Sequence, residues 1–339
     1  MSLAGKRICV VGAGAIGGYL AVRLASTGAD VSVVVRGRNL EAVRADGLTL
    51  INEDGSEQRA VVRASDEMAT LGHQDIVILG MKAHQVAPVV EQIATLVGPQ
   101  TMVVTTQNGI PWWYFHGIDS PWRGRRIDSV DPGGVISATL PPERTIGCIV
   151  YPAAEIVRPG VIRVVEGNRF PLGELDGSDT PRLRELSEGL RAAGLRSPVL
   201  KDIRSEIWIK LWGNLSFNPI SALTHATLED IVGFGPTREL AAQMMTEAQA
   251  VGEKLGVAFK VPLENRIAGA GAVGAHKTSM LQDVETGREL ELGALMGSVI
   301  ELGEIAEVPT PVIRQVYALA SLLSKTLRAQ RGRLRIEPG

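Results

Sequence analysis

An apolar, β-branched run, Arg7-Ile8-Cys9-Val10-Val11, passes without a break into Gly12-Ala13-Gly14-Ala15-Ile16-Gly17-Gly18 and then into a helical pattern from Tyr19 to Ser26. Strand, glycine turn and helix in immediate succession open a βαβ unit. The first glycine permits the tight turn, the second lets backbone approach a pyrophosphate, and the third lets helix and strand pack closely. Amides at the helix start then face the phosphates. Gly12, Gly14 and Gly17, with Ala15 and Ile16 between them, are therefore the expected dinucleotide-binding turn. Further apolar runs at 31–35, 75–80 and 101–105 alternate with helical stretches at 39–45 and 85–97. Such alternation implies a parallel, doubly wound sheet.

Shorter β-like segments at 146–151, 161–166 and 169–173 are expected to finish or extend the same sheet. A cluster of breakers follows, Asp176-Gly177-Ser178-Asp179-Thr180-Pro181, and beyond it nearly everything reads as helix: 182–193, 204–218, 237–256, 279–306 and 311–329. The expected fold class is α/β, an N-terminal Rossmann-type doubly wound sheet over 1–176 plus a C-terminal all-helical domain over 177–339. Residues 111–142 have little periodicity and hold Trp112, Trp113 and Trp122, so they read as a long structured loop with a function. Met1-Ser2-Leu3 is set aside as a leader.

Thirty-five Lys plus Arg against 37 Asp plus Glu leave a formal charge of −2, with no long like-charge run to attract nucleic acid or an anionic membrane. No apolar stretch approaches the roughly 20 residues of a membrane span, and no signal-peptide core precedes the first strand. Two cysteines, Cys9 and Cys148, fit reduced, buried thiols in a cytoplasmic protein rather than a disulfide scaffold. The five histidines show no ligand spacing, so no metal is expected.

A dinucleotide site for NAD usually carries an acid at the end of the second strand, to bind the ribose 2′-hydroxyl. This chain has Val35-Arg36-Gly37-Arg38 there, and Asp30 lies at the strand's other end. A guanidinium from Arg36 or Arg38 is free to pair with a 2′-phosphate, which points to NADPH; two solvated surface arginines are the alternative. Further on, Lys210, Asn214 and Asn218 recur at four-residue spacing in an otherwise apolar helical stretch. That polar stripe is either a site or a structural network. A third helix is expected to begin with the capping box Ser279-Met280-Leu281-Gln282 and to carry Asp283, Gly287 and Glu291 on one face. Capping alone would explain Ser279, and Glu291 is one of several local acids.

Together these motifs resemble the ketopantoate reductase family nearly end to end. The resemblance rests on the glycine turn, Lys82-Ala83-His84-Gln85, Gln107-Asn108-Gly109, the Lys210, Asn214 and Asn218-Pro219 series, and Ser279 to Asp283 followed by Gly287, Arg288 and Glu291. It implies a Rossmann domain joined to a helical domain, with NADPH and a 2-keto acid in the cleft between. By position it makes Lys210 the group that polarises and protonates the substrate carbonyl and Glu291 its partner and a hydroxyl acceptor. Asn214 and Asn218 become substrate anchors, Ser279 a carboxylate contact, and Lys82 and Asn108 neighbours of the nicotinamide. Two departures stand out. Leu290-Glu291-Leu292-Gly293 replaces the family's common Thr-Glu-Ile-Asp, and 111–142 reads as an insertion. The expected reaction is NADPH-dependent reduction of 2-dehydropantoate to pantoate. The alternatives are reduction of a bulkier keto acid or imine, and a non-catalytic NADPH-binding sensor. Trp112, Trp113 and Tyr114 either wall the keto acid or pack the loop onto the helical domain or a second subunit, which keeps a homodimer open.

Overall fold

The computed structural model describes residues 3–330; Met1 and Ser2 of the supposed leader, and 331–339 at the end of the expected second domain, lie outside the described residues. Leu3 is 0% exposed. It fills the space above Gly189, where a Cβ would meet its Cγ at 2.2 Å. It therefore belongs to the fold and not to a leader.

Strand β1 (Arg7–Val11) is followed by α1 (Ala15–Ala25), β2 (Asp30–Val34) and α2 (Gly37–Asp46). Next come β3 (Leu48–Ile51), β4 (Glu57–Ala60), β5 (Arg63–Ser65), β6 (Gln74–Leu79), α3 (Val90–Ala94) and β7 (Val97–Thr105). After α4 (Val135–Thr139), strands β8 (Thr145–Cys148), β9 (Ala153–Arg158), β10 (Val161–Glu166) and β11 (Leu172–Glu174) complete the set. The main sheet has the order β11-β8-β7-β6-β1-β2-β5 and is parallel except for β11. The chain winds outward from β1 through β2 to β5, then returns past β1 to β6. That reversal makes the carboxyl ends of β1 and β6 a topological switch point, where doubly wound sheets open a ligand crevice.

Segment 161–166 does not extend this sheet as expected. It pairs parallel with β3 and antiparallel with β9 in a second, four-stranded sheet of order β4-β3-β10-β9. The reason lies in α1, whose sequence AIGGYLAVRLA is apolar on nearly every side and which is buried from Gly17 to Val22 and at Leu24. A helix hydrophobic all round has to be covered on all sides. Ile162 reaches down to Gly18, where a Cβ would come 2.6 Å from its Cδ1. Cys9 and Cys148 are free and buried. Burial pushes the Cys9 thiol up to about 11, against a smaller lowering by its hydrogen bond with Ser32.

The chain divides into two compact units, but not after Asp176. The first comprises the chain up to Gln107, Pro111–Arg126 and Asp131–Ile203; the second comprises Asn108–Ile110, Ile127–Val130 and the chain from Arg204 onward. The breaker cluster is a tethered turn, not a linker. Ser178 donates through its amide to the Asp176 carboxylate at 2.9 Å, and the Thr180 hydroxyl caps α5 (Pro181–Ala192) by accepting from the Leu183 amide. Glu174 on β11, 3% exposed, takes the Arg182 guanidinium at 2.8 and 2.5 Å, fixing α5 to the sheet.

The second unit contains α6 (Ile203–Thr224), α7 (Leu228–Gly233), α8 (Gly235–Lys254) and α9 (Leu263–Ala272). It continues with α10 (Ser279–Glu285), α11 (Ser298–Ala306) and α12 (Pro311–Ala329). Helices α7 and α9 are additions to the sequence reading. The single helix expected over 279–306 is broken: Gly287 has φ +67, and the Arg288 amide turns back to the Asp283 carbonyl at 2.8 Å. A positive-φ glycine just past the last turn is a regular helix stop. The chain resumes with a π-helical turn, Gly293–Gly297, that leads into α11.

Residues 111–142 form most of the crossover between the parallel strands β7 and β8, which explains their length: a parallel connection has to travel back along the sheet. Of its aromatic run, Trp113 is packed within the first unit. Trp113 is 2% exposed, its indole N–H donates to the Thr105 hydroxyl at 3.0 Å, and a Cβ at Gly147 would lie 2.9 Å from its ring.

Replacing Leu3 with alanine is expected to cost about 2–5 kcal/mol of stability, the usual range for truncating a buried leucine. Urea unfolding measures it, and an unchanged midpoint would mean that Leu3 is a passive leader after all.

Candidate active site

The glycine turn is built by backbone contact. Gly12 has φ +91, and a Cβ there would approach the Met81 Cβ to 3.0 Å. A Cβ at Gly17 would fall 2.1 Å from the Gly12 carbonyl oxygen, whereas one at Gly14 would meet nothing within 4 Å. The turn is thus closed on the protein side at Gly12 and Gly17 and open at Gly14. Gly14 is also the N-cap of α1 and has no side chain to cap the amides of Ala15, Ile16 and Gly17. Uncapped first-turn amides beside an open backbone are what a pyrophosphate requires.

A cavity of about 200 Å³ adjoins this turn, lined among others by Gly12, Gly14, Arg36, Asn39, Met68 and Met81. Arg36, the N-cap of α2, lines it; Arg38 does not. Asn39 escaped the sequence reading. Its amide donates to the Ala13 carbonyl at 3.2 Å and accepts from the Gly160 amide at 2.8 Å, bracing the glycine turn from the side. Its only signal was an amide side chain in the first turn after the second strand.

Lys82 follows β6, with its backbone N–H donating to the Gln85 side chain at 3.1 Å. Gln107 braces the same strand end, donating to the Leu79 and Met81 carbonyls at 2.6 and 3.1 Å. The motif Gln107-Asn108-Gly109 therefore divides its labour, because Asn108 belongs to the second unit.

There, Lys210 on α6 donates from Nζ to the Asn108 Oδ1 at 2.5 Å. Asn108 is held by its neighbours. The Ile110 amide donates to the Ala294 carbonyl at 2.9 Å, and Gly109 has φ +87, with a would-be Cβ only 2.2 Å from that carbonyl oxygen. No residue but glycine fits such a position without strain. The amide oxygen thus helps to orient the ammonium.

Asn214 and Asn218 continue the stripe on α6. Asn218 is 6% exposed, and no described group hydrogen-bonds to either amide. Asn214 is half-buried, and two amides with hydrogen-bonding capacity left over on one helix face are suited to a polar ligand. The helix around them is immobilised by its apolar side: Trp212 donates to the Met245 carbonyl at 2.6 Å and packs on Phe259 at 4.8 Å between ring centroids. Pro219, inside α6, removes an amide donor one turn beyond Leu215. Gly213 marks a residue that sequence reasoning missed. The Arg266 guanidinium lies against it, with Nη2 2.6 Å from where a Cβ would stand, three residues along α6 from Lys210.

Two expected placements need correction. Ser279 is not the cap of α10; the Thr278 hydroxyl accepts the Leu281 amide at 3.2 Å, and Ser279 is the exposed first helical residue, released from capping. Glu291 does not share a helix face with Asp283, because Gly287 ends α10 first. It is half-buried just ahead of the π turn, three residues before Ala294. Asp283 pairs with the Arg288 guanidinium at 3.0 Å. Among the described residues, no three His, Cys, Asp or Glu side chains gather as a metal-binding group.

The family profile described as Ketopantoate reductase PanE/ApbA matches residues 8–113, and the profile of its C-terminal part matches 202–324. A curated protein of Mesorhizobium japonicum, named 2-dehydropantoate 2-reductase, is 56% identical over 319 residues, covering 94% of this chain and 98% of its own. A crystal structure from Ralstonia solanacearum MolK2, provisionally assigned as a ketopantoate reductase, superposes with a TM-score of 0.91 at 41% identity, over 95% of this chain and 98% of that one. The 2-dehydropantoate 2-reductase of Geobacter metallireducens gives a TM-score of 0.82 at 26% identity, over 93% and 99%.

Gly109→Ala is expected to destabilise the protein by about 1–3 kcal/mol, as forced overpacking does, and to lower turnover by displacing Asn108. Denaturant unfolding and steady-state rates measure the two effects, and a fully active, fully stable variant would show the seat to be dispensable.

Proposed function

The chain belongs to the ketopantoate reductase family, and we propose that it is an NADPH-dependent oxidoreductase that reduces 2-dehydropantoate to pantoate. The observation that carries this reading is the Lys210–Asn108 hydrogen bond on the helix that also carries Asn214, half-buried, and Asn218, buried, two amides that no described protein group bonds. NADPH, when bound, supplies the hydride that adds to the keto carbon. As the C=O bond becomes a C–O single bond, negative charge grows on oxygen, and a positioned ammonium lowers its energy and then gives it a proton. Lys210 is that acid, oriented by Asn108. Asn214 and Asn218 anchor the substrate's polar groups, Ser279 takes its carboxylate, and Glu291 accepts from its hydroxyl.

On the cofactor side, the uncapped amides of Ala15, Ile16 and Gly17 take the pyrophosphate, and Gly12 and Gly14 let it approach. Arg36, on the cavity wall, takes the 2′-phosphate, and Lys82 lies toward the nicotinamide. The reading of a bulkier substrate loses its motive, since Trp113 is packed within the first unit. Two free thiols suit a reducing compartment, so the proposed location is the cytoplasm. Among the described residues, no helix is long and apolar enough to cross a membrane.

Purified protein mixed with NADPH and ketopantoate tests the reaction directly. Lys210→Ala is expected to lower kcat by about 100-fold or more, the usual loss of a general acid, while the Kd for NADPH stays within about two-fold; a variant with normal turnover would make the lysine structural. Arg36→Ala is expected to weaken NADPH by about ten-fold or more, on the scale of one charge-assisted hydrogen bond, and to leave NADH unchanged. Equal weakening of both cofactors would take the 2′-phosphate away from Arg36.

A further inference from the structure

Both feet of the β7–β8 crossover rest on one short piece of helix in the second unit. The first foot is Asn108–Ile110, held at the Ala294 carbonyl, which also accepts the Ser298 hydroxyl at 2.7 Å. The second foot is Ile127–Val130, and it is gripped by a single carboxylate. Glu301 on α11 accepts the Asp128 amide at 2.7 Å through one oxygen, and the Ser129 amide at 2.8 Å and hydroxyl at 2.6 Å through the other. This foot lies directly on the π turn, since a Cβ at Gly293 would come 2.9 Å from the Ser129 carbonyl and one at Gly297 would come 3.5 Å from its hydroxyl. Gly293 and Gly297 bound the turn that contains Ala294. Turns of π geometry inside helices are frequent at functional sites because they redirect backbone groups that an α-helix would use internally.

We infer that Glu301 is a positioning residue for the reduction: it clamps Asp128 and Ser129 onto the π turn, the turn holds Ile110 through Ala294, and Asn108 is thereby fixed where it orients the Lys210 ammonium. The inference rests on the reading of Lys210 as the acid, but its physical core, the seat of Asn108, does not. Two acceptor oxygens on one rigid helix serve three donors. Glutamine at 301 keeps the volume but offers one acceptor oxygen, and its NH₂ faces a donor that it cannot satisfy. Ser129→Ala removes only one of the three bonds and leaves the carboxylate in place.

Amide hydrogen exchange on the full-length protein without substrate reads the seat directly. Glu301→Gln is expected to speed exchange at Ile110 and Ser129 by about ten-fold, and Ser129→Ala by about two-fold, as a locally opened segment does. Unchanged exchange at Ile110 in the glutamine variant overturns the proposal. Turnover then tests the consequence. Glu301→Gln is expected to lower kcat about ten-fold with KM within about two-fold, since small misplacements of a catalytic group are costly. In an Asn108→Ala background, the same substitution is expected to change kcat by less than about two-fold, because groups acting through one another are not additive. An equal loss in both backgrounds overturns the route through Asn108. Wild-type protein that does not reduce ketopantoate overturns the proposed function instead, and exchange at Ile110 still decides for or against the seat.

Discussion

The first unit depends on one backbone meeting. The Gly12 carbonyl oxygen lies where a Cβ on Gly17 would be at 2.1 Å and one on Gly80 at 2.8 Å. Three glycines therefore bring β1, α1 and the end of β6 closer together than side chains allow. That approach sinks α1 into the sheet, and a sunken helix has to be apolar all round and covered from above. The four-stranded second sheet is the cover, with Ile162 packed onto Gly18. The same approach opens the crevice at the switch point and aims the uncapped amides of α1 into it. Architecture and binding chemistry are thus two results of one steric constraint.

The second unit places a lysine ammonium against a backbone-anchored amide, Lys210 on Asn108. Asn108 is itself seated by Gly109 and Ile110 on the Ala294 carbonyl, so the contact has a fixed backbone behind it. Two acids of this unit are tied to groups of the unit itself: Asp283 pairs with Arg288, and Glu301 binds two amides and a hydroxyl. Asn214 and Asn218 are left with hydrogen-bonding capacity that the described protein does not use.

What was legible in the sequence was local. The strand, glycine turn and helix from Arg7 to Ser26 carry their own geometry, and the four-residue spacing of Lys210, Asn214 and Asn218 is a property of any helix. The misplaced features depend on partners far along the chain. Segment 161–166 has the pattern of a strand in either sheet, and only the need to cover α1 assigns it to the second. The breakers from Asp176 to Pro181 look like a linker until Glu174 and Arg182 are seen to tie them down. Gly287 could have been recognised as a helix stop, but the apolar periodicity on either side hid it. Asn39, Arg266 and Glu301 carry no motif at all, because their roles consist entirely of what they touch.

The burial of α1 also has a consequence for the order in which the molecule is made. The strands that roof this helix come from two stretches of chain: β3 and β4 follow it closely, whereas β9 and β10 arrive only after the whole β7–β8 crossover. A helix with no polar side gains little by forming alone in water, and contacts between distant segments form slowly because the intervening chain must close first. The glycine turn near the start of the chain can therefore reach its final shape only when nearly all of the first unit has left the ribosome. During synthesis, the earliest strand and helix are the part most in need of protection from aggregation.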